Sequence, residues 1–494
     1  MNGVPFTRVA HVERARDHWR VHLQTQAGMT VTTLRTLEDQ HLTRASAGAS
    51  GADLLTAPMP GAVAEVRVAP GDTVAGRGCG DRNFLRTRRY GRRARPTCKT
   101  RPGGNNMTKQ DTITAATGPF NEDLDMIRDQ LRRFIDTEVT AKADAWEETG
   151  MVPRDVLRQM GDLGVLGMRY DEKYGGSGLN VMSSVVLAEE VGRSTFGGFS
   201  ATVLVHTDMA SPHLDNAGTP EQKARWMPSI TSGEKIAAVA VTEPGAGSDV
   251  AGMRTRAVQD GSDWVLNGTK MFITNGVHGD IYFVGAKTDP DAKGSRGITM
   301  FTVEKGTPGF SVGRALNKTG WLCSDTAELI FEDVRIPAEN VLGEVNKGFY
   351  SVMKNFQNER IVLGAMACAE AQTALDITVD YVKQRKAFGG VLWDKQAIRQ
   401  RLADCQTRIA AGRELVYHAA GLDAAGRDCV KEVSMVKAYC GELVNSVLYD
   451  CVQFHGGMGY MRETPVERMS RDARVQAIGG GASEVMLEEV AKRM

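Results

Sequence analysis

The sequence predicts an α+β multidomain protein: an N-terminal all-α domain, a middle β-barrel or β-sandwich domain and a C-terminal four-helix bundle. Two observations carry this prediction. Apolar residues recur at three- and four-residue steps through residues 107–235 and again through 343–494, whereas residues 236–342 contain short alternating or β-branched runs. Residues 1–106 show neither pattern over most of their length, and we expect a largely disordered extension there.

The composition excludes several classes of protein. The chain has 494 residues, enough for two or three domains, and contains no apolar run long enough to span a membrane. The first thirty residues include Glu13 and Asp17 and no apolar signal core, so we expect a cytoplasmic protein. The eight cysteines form no CxxC pair and are expected to be reduced core thiols, and without an HExxH motif no metal site is predicted.

The extension differs from the rest in charge and pattern. The formal net charge is +0, yet residues 1–106 carry 17 Lys and Arg against 8 Asp and Glu. Residues 57–78, APMPGAVAEVRVAPGDTVAGRG, resemble the start of a biotin-carrier domain of an acyl-CoA carboxylase, but the biotinyl-lysine hairpin is missing. The arginine-rich residues 79–101 follow, and such a run is typical of a solvated stretch rather than a nucleic-acid site. We interpret the extension as the end of a carboxylase gene running out of frame into this one, with Met107 as the natural start.

The helical elements of the N-terminal domain are predicted from periodicity. Residues 121–145 are expected to form the first helix, and further helices are expected from Pro153 and over residues 181–193 and 220–232. Beyond Gly343 the helical period returns and lasts almost to the end, which is typical of long antiparallel helices.

The β domain opens with a short apolar run followed by the loop VTEPGAGSD at residues 241–249. Gly245 and Gly247 expose backbone N–H groups, and Thr242 and Ser248 add hydroxyl donors. Such an edge suits a planar, anionic cofactor, although a Gly/Pro-rich turn between two strands has the same composition.

Four further segments accompany this loop in a fixed order: KMFITNG at 270–276, DTAELIFEDVRIP at 325–337, QRKAFGG at 384–390 and QFHGGMGYMRETPVERMSRDAR at 453–474. Together the five segments resemble the acyl-CoA dehydrogenase family, flavoenzymes that oxidise acyl-CoA thioesters to trans-2-enoyl-CoA. The resemblance covers residues 107–494 and implies domains at 107–235, 236–342 and 343–494.

The resemblance also implies an FAD site and a substrate site. Ser248, Arg360 and Gly480 would contact the substrate. The cofactor-binding residues would be Val241, Thr242, Gly247, Ser248, Phe272, Ile273, Thr274, Arg385, Phe388, Gln396, Gln453, Gly456, Gly457 and Glu484, with Gln453, Gly456 and Gly457 coming from a neighbouring subunit. Taken singly, the charge run around Arg385 is more typical of a solvated helix face, and Phe388 of a core residue.

The base that removes the substrate's α-proton is the deciding residue. Many family members carry a glutamate near the C-terminus in a Tyr-Glu-Gly-Thr context, but Gly480 stands in its place here. Long-chain and isovaleryl-type members supply the carboxylate from the first helix of the C-terminal domain, where Glu359 falls on the apolar stripe of Val352 and Phe356. We expect burial to raise the pKa of Glu359 and make it the base.

Two alternatives to this base stay open, as do two other functions. Glu359 has a structural alternative as half of an ion pair across the bundle, and Glu484 is the reserve base. The resemblance implies an acyl-CoA substrate, an electron-transferring flavoprotein as acceptor and a homotetramer. An acyl-CoA oxidase or flavin monooxygenase on the same fold, or a carboxylase-associated biotin carrier, are the competing functions. A carboxylase gene neighbour would favour a methyl-branched acyl group.

Overall fold

The structure is a computed structural model that describes residues 8–14, 19–25, 28–36, 54–57, 120–292 and 296–494. The chain divides into two compact units, residues 1–111 and 112–494. The first unit contains one sheet in the order β1-β2-β3-β4, antiparallel except for the parallel pair β3 and β4. Its strands are Arg8–Arg14, Trp19–Thr25, Gly28–Thr36 and Leu54–Ala57. These strands were not expected from the sequence, and residues 58–78 of the biotin-carrier-like stretch 57–78 lie outside the described part.

The second unit begins with helices, which the sequence caps in recognisable ways. They are α1 Glu122–Phe134, α2 Ala143–Thr149, α3 Arg154–Asp162, α4 Val181–Gly192, α5 Gly197–Leu204, α6 Ser211–Ala217 and α7 Pro220–Thr231. The Asn121 side chain accepts a hydrogen bond from the N–H of Leu124 at the start of α1, and Thr219 and Gln222 form a capping box at the start of α7. Helix α4 is buried on every face, because α1 and the bundle pack against it from opposite sides.

The β region follows as one eight-stranded sheet in the order β10-β11-β7-β6-β8-β9-β12, with β5 paired to β8. The strands are β5 Ala237–Ala240, β6 Arg256–Asp260, β7 Asp263–Thr274, β8 Ile281–Lys287, β9 Ile298–Glu304, β10 Phe310–Ala315, β11 Thr326–Ile336 and β12 Val341–Leu342. The sheet curves around its own core, since Tyr282 of β8 and Phe310 of β10 pack edge to face with ring centroids 4.8 Å apart.

The C-terminal region is a helical bundle. Its helices are α8 Gly348–Gln384, α9 Gln396–Ala424, α10 Val430–His455, α11 Pro465–Ala473 and α12 Ser483–Ala491, with the short hairpin β13 Lys386–Ala387 and β14 Gly390–Val391 after α8. By length and composition α8 is the one helix in the described residues that could cross a membrane, yet 78% of its apolar window is buried inside the protein. The six cysteines in the described residues are buried and free, as expected for core thiols.

The bundle depends on a close approach of α8 and α10. A Cβ added to Gly364 of α8 would lie 2.2 Å from Cγ1 of Val436 on α10 and 3.2 Å from Cγ2 of Val416 on α9. Real Cβ atoms do not come this close to other atoms, so the three helices can meet only because residue 364 has no side chain. The close crossing at Gly364 therefore also sets how far apart α8 and α10 lie at the neighbouring turns.

We therefore predict that Gly364→Ala lowers the free energy of unfolding by about 1–3 kcal/mol, the usual cost of overpacking a core. The matched control is Gly421→Ala on α9, where an added Cβ meets nothing within 4 Å. That substitution should stabilise the helix by about 0.5–1 kcal/mol, the helix-propensity difference between Gly and Ala. Denaturant unfolding followed by circular dichroism measures both, and equal midpoints for the two variants would contradict the close-packing argument.

Candidate active site

The loop after β5 is held by a buried ion pair. Glu243 is 5% exposed and Lys270 0%. Lys270 Nζ lies 2.8 Å from Glu243 Oε1 and donates to the carbonyl of Val241 at 3.1 Å. The same carboxylate accepts the backbone N–H groups of Arg254 at 2.6 Å and Thr255 at 2.9 Å. Lys270 thus holds the start of the connection between β5 and β6, and Glu243 holds its end, so the ion pair fixes the path of this connection.

Charges at this pair follow from burial and pairing. Burial lowers the pKa of Lys270 to about 8, against the opposing effect of Glu243. Burial also acts to raise the pKa of Glu243, but the charge of Lys270 and the donated hydrogen bonds outweigh it, and the pKa falls below its usual value. Lys270 and Glu243 therefore act as a pair, each favouring the charged form of the other.

The predicted flavin wall lies directly beside this loop. The N–H of Met271 donates to the carbonyl of Thr242 at 2.9 Å, which joins the loop to the last residues of β7. Phe272 is 67% exposed and has a φ of 60°, a left-handed conformation that is rare for an aromatic residue. Such strain is concentrated where ligands bind. The structure thus brings together Val241 and Thr242 with the segment that contains Ile273 and Thr274.

The tip of the loop is open. Gly247 and Ser248 are exposed, and a Cβ added to Gly247 would meet nothing within 4 Å. Val241 and Ala246 are buried in one apolar cluster with Val352 of α8, against which Phe356 also packs. The loop therefore stands at the first turns of α8, close to where Glu359 follows on the same helix.

Glu359 is buried in the bundle with 8% of its surface exposed. Its carboxylate forms no hydrogen bond and no ion pair within 4.0 Å with any described residue, so the predicted alternative of an ion pair across the bundle is not observed. Burial raises the pKa of Glu359 to about 7, against the charges of Arg360 and Lys437, which act to lower it. A carboxylate of this kind is basic enough at neutral pH to accept a proton.

Gly480 lies directly against this carboxylate, although the two residues are far apart in sequence. A Cβ added to Gly480 would be 3.0 Å from Glu359 Oε1 and 2.6 Å from Cδ1 of Leu363. Gly480 also has a φ of 66°, which a side chain would strain. Its N–H donates to no other group among the described residues. The two positions from which the resemblance implies a base therefore meet here: Glu359 carries a carboxylate, and Gly480 carries only a backbone N–H.

The remaining predicted residues are placed elsewhere. Arg360 is buried beside Glu359, and its Nε has no partner in the described part of the chain. Glu484 is exposed in the first turn of α12. The other six, Arg385, Phe388, Gln396, Gln453, Gly456 and Gly457, lie near the far ends of α8 and α10 and the start of α9.

One stacking contact shows that the ends of α8 and α10 meet, and we call the six predicted residues near these ends the second group. Tyr381 near the end of α8 stacks on His455 at the end of α10 with ring centroids 4.3 Å apart, and its hydroxyl donates to the His455 carbonyl. Arg385 follows Glu359 by 26 positions and lies just beyond the end of α8, which is about 39 Å along a helix with a rise of ~1.5 Å per residue. The second group therefore cannot contact a small molecule bound at Glu359 of the same chain.

Sequence reasoning missed two buried lysines, Lys270 and Lys437, because lysine is usually a surface residue. A signal was present for Lys437, which lies on the buried stripe of α10 with Val433, Cys440 and Val444. The signal for Lys270 was weaker, because β7 contains several polar residues and its buried and exposed positions do not alternate clearly.

Comparison with known proteins decides the family. Models of the N-terminal, middle and C-terminal domains of acyl-CoA dehydrogenases match residues 121–234, 238–334 and 346–494. The long-chain specific acyl-CoA dehydrogenase of mouse mitochondria is 43% identical over 378 residues, which are 76% of this chain and 87% of that protein. This chain belongs to the acyl-CoA dehydrogenase family. It is therefore an oxidoreductase with the three-domain fold expected from the sequence.

Solved structures and other relatives agree with this family membership. An acyl-CoA dehydrogenase from Geobacillus kaustophilus is 42% identical, with a TM-score of 0.73 over 76% of this chain and 98% of its own. A glutaryl-CoA dehydrogenase from Mycobacterium smegmatis, solved in complex with FADH2, is 30% identical with a TM-score of 0.71 over 76% of this chain and 95% of its own. The CarC subunit of the caffeyl-CoA reductase-Etf complex of Acetobacterium woodii is 41% identical over 74% of this chain and 96% of that protein. The resemblance of residues 57–78 to a biotin-carrier domain is not borne out by these comparisons.

We predict that Lys270→Met lowers the free energy of unfolding by about 3–5 kcal/mol, because it leaves the buried carboxylate of Glu243 without its cation. The double variant Glu243→Gln/Lys270→Met should recover much of this loss. Arg335→Met is the control, since Arg335 and Asp260 form an exposed pair on the same sheet, and such pairs contribute about 0–1 kcal/mol. Denaturant midpoints of the four proteins measure the difference, and a Lys270→Met midpoint equal to that of Arg335→Met would show that the pair does not hold the loop.

Proposed function

We propose that this protein is an FAD-dependent acyl-CoA dehydrogenase that converts an acyl-CoA thioester to its trans-2-enoyl-CoA, with Glu359 as the base. One observation carries the assignment of the base: the buried carboxylate of Glu359 has no partner and lies against Gly480, a residue that has no acid of its own. Glu484, the reserve candidate, is exposed.

The loop and the end of β7 fit a flavin. Gly247 is open to close approach, and the exposed ring of Phe272 offers an aromatic face beside it. Val241, Thr242, Gly247 and Ser248 would hold one side of the ring system, and Phe272, Ile273 and Thr274 the other. FAD, when bound, accepts the hydride that leaves the substrate's Cβ.

The reaction requires two further tasks of the chain. Glu359 takes the α-proton, and the electron pair of that C–H bond forms the new double bond as the β-hydride leaves. The N–H of Gly480 is unoccupied by other described residues and donates to the thioester carbonyl, where charge develops; one such donor contributes about 3–4 kcal/mol to barrier lowering in comparable sites. Arg360 supplies a buried cation with a free donor for the substrate.

We also propose a homotetramer in which the second group completes the cofactor site of a neighbouring subunit. Arg385, Phe388 and Gln396, together with the turn of Gln453, Gly456 and Gly457, are too far along α8 to serve the same chain's site. Large apolar side chains are exposed at this end of the bundle: Phe388 is 88% exposed, Tyr449 71% and Tyr460 86%. Light scattering should give four times the mass of one chain, and a monomer that retains FAD would exclude this arrangement.

We predict that Glu359→Gln retains bound FAD and loses most of its turnover, because the amide cannot accept the α-proton. In the wild type kcat/KM should rise about tenfold per pH unit below pH 7 and level off above it, since the base works only when deprotonated and its pKa is about 7. Glu414→Gln is the matched control, because Glu414 is an exposed acid on α9, and it should keep both the rate and the profile. Stopped-flow flavin reduction against pH measures this, and a Glu359→Gln enzyme that reduces its flavin at the wild-type rate would rule out the base.

We expect the reduced flavin to pass its electrons to an electron-transferring flavoprotein, because one relative is named as a subunit of a complex with that protein. The substrate-reduced enzyme should be slow to reoxidise in air and fast to reoxidise when the flavoprotein is added. Flavin absorbance near its oxidised maximum follows both reactions. Rapid oxidation by air alone would instead indicate an acyl-CoA oxidase.

A further inference from the structure

The starting observation is a buried lysine on α10. Lys437 is 2% exposed. Its Nζ donates to the carbonyl oxygens of Gln476 and Gly481, the latter at 3.1 Å. These two carbonyls belong to the turn between α11 and α12, one on each side of Gly480. A single ammonium group therefore bridges both sides of the turn that presents the Gly480 N–H.

The turn is rich in glycine. Gly479, Gly480 and Gly481 are consecutive, and glycine loses more conformational freedom on folding than any other residue. On the side that precedes Gly480, the N–H groups of Ile478 and Gly479 donate to the Val475 carbonyl at 2.8 and 2.7 Å. The Gln476 side chain there donates to the buried carboxylate of Glu370 on α8, and on the other side Ser483 Oγ donates to Glu442 Oε1 at 2.8 Å. Unlike these contacts, Lys437 is bonded to both sides of Gly480.

Lys437 is also close to the proposed base. Its Cε lies 3.6 Å from the position of a Cβ on Gly480, and Glu359 Oε1 lies 3.0 Å from the same point. Cε and Oε1 are therefore within 6.6 Å of each other, the sum of these two distances. Nevertheless Lys437 and Glu359 form no ion pair within 4.0 Å, because the ammonium is engaged by the two carbonyls. The positive charge of Lys437 therefore acts on the Glu359 carboxylate from a distance and leaves it free of an ion-pair contact.

Other titratable groups surround Lys437 and Glu359 and also act on their pKa values. Arg360 acts on Glu359 from the same helix. Glu489 of α12 and Arg493, just beyond the end of α12, act in turn on Arg360. On α10, Cys440 and Glu442 act on Lys437, whose pKa burial lowers to about 8 despite the opposing effect of Glu359. Lys437 is the cation that faces Glu359 from a different helix.

We propose that Lys437 is a positioning residue for the dehydrogenation: it fixes the Gly480 N–H opposite the Glu359 carboxylate, and its charge favours the ionised form of that carboxylate. This inference rests on the proposed function, in which Glu359 is the base and Gly480 the donor. It adds a residue that touches neither substrate nor flavin and acts through both of those groups.

Lys437→Met tests the inference, because it keeps the length of the side chain and removes its charge and its donors. The FAD-loaded variant should lose about tenfold to a hundredfold in kcat with little change in KM, since a small displacement of a catalytic group costs this much. Its kcat/KM profile should rise at a pH about one unit higher than in the wild type, because an opposite charge at this distance has been removed.

The matched control is Lys318→Met. Lys318 is partly buried, also donates to a backbone carbonyl, that of Ser324, and lies outside the bundle. Both variants should lose stability, but only Lys437→Met should move the pH profile. If both variants lose stability alike and neither moves the profile or kcat, Lys437 is merely structural and the inference is wrong.

Two further measurements keep the outcomes separate. If Lys437→Met does not fold, Lys437→Arg decides: the charge is kept while the two carbonyl contacts change, so a lower kcat with an unmoved profile supports the inference, and a wild-type kcat overturns it. Glu359→Gln serves as the reference for the base. Full turnover in Glu359→Gln would refute the proposed function, whereas an inactive Glu359→Gln beside a Lys437→Met with wild-type behaviour would refute only the role of Lys437.

Discussion

The close approach of the turn at residues 476–481 to α8 is the constraint on which the chemistry of the site depends. Glu359 lies on the α8 side of this approach, and the atom that would begin a side chain at residue 480 would lie 3.0 Å from its carboxylate. Because Gly480 also has a φ of 66°, which a side chain would strain, core packing and acid–base chemistry are linked at this position. A bundle packed more loosely would admit water beside Glu359, and the desolvation that raises its pKa would be reduced.

On each of the two sides of the site, a buried lysine orders one segment of the backbone, but the groups that satisfy its charge differ. On the β side, the buried charge of Lys270 is neutralised by Glu243 and orders the loop 241–249. On the helical side, the buried charge of Lys437 is satisfied by backbone carbonyls and orders the turn around Gly480. Buried polar groups are costly unless every partner is in place, so each arrangement favours one geometry of its segment. The loop and the turn that would contact flavin and thioester are therefore each held in one position, although neither is part of a long helix or strand.

The helical and β regions could be predicted from the sequence because their periodicity reports burial directly. The family resemblance pointed to Glu359 as a candidate base, and the same periodicity placed this acid on the apolar stripe of α8. Its contact with Gly480 could not be derived, since the two residues are more than a hundred positions apart and only the fold joins them. The burial of Lys437 had a signal in the apolar stripe of α10, but its contacts could not be derived, because its partners are main-chain oxygens, which every residue carries. The strands within residues 8–57 were also missed, although β2 alternates apolar and polar residues in part.

Helix α8 places Glu359 near its beginning and Arg385 just beyond its end, without a break over 37 residues. One consequence concerns how such a chain can vary over evolution. Each residue inserted into or deleted from an α-helix turns one end relative to the other by about 100° and shifts it by ~1.5 Å. Substitutions along α8 leave the relation between its two ends intact, whereas a change in its length would turn the carboxylate and the arginine toward different neighbours. We therefore expect the number of residues in α8 to be more strongly constrained than the identity of most of its side chains.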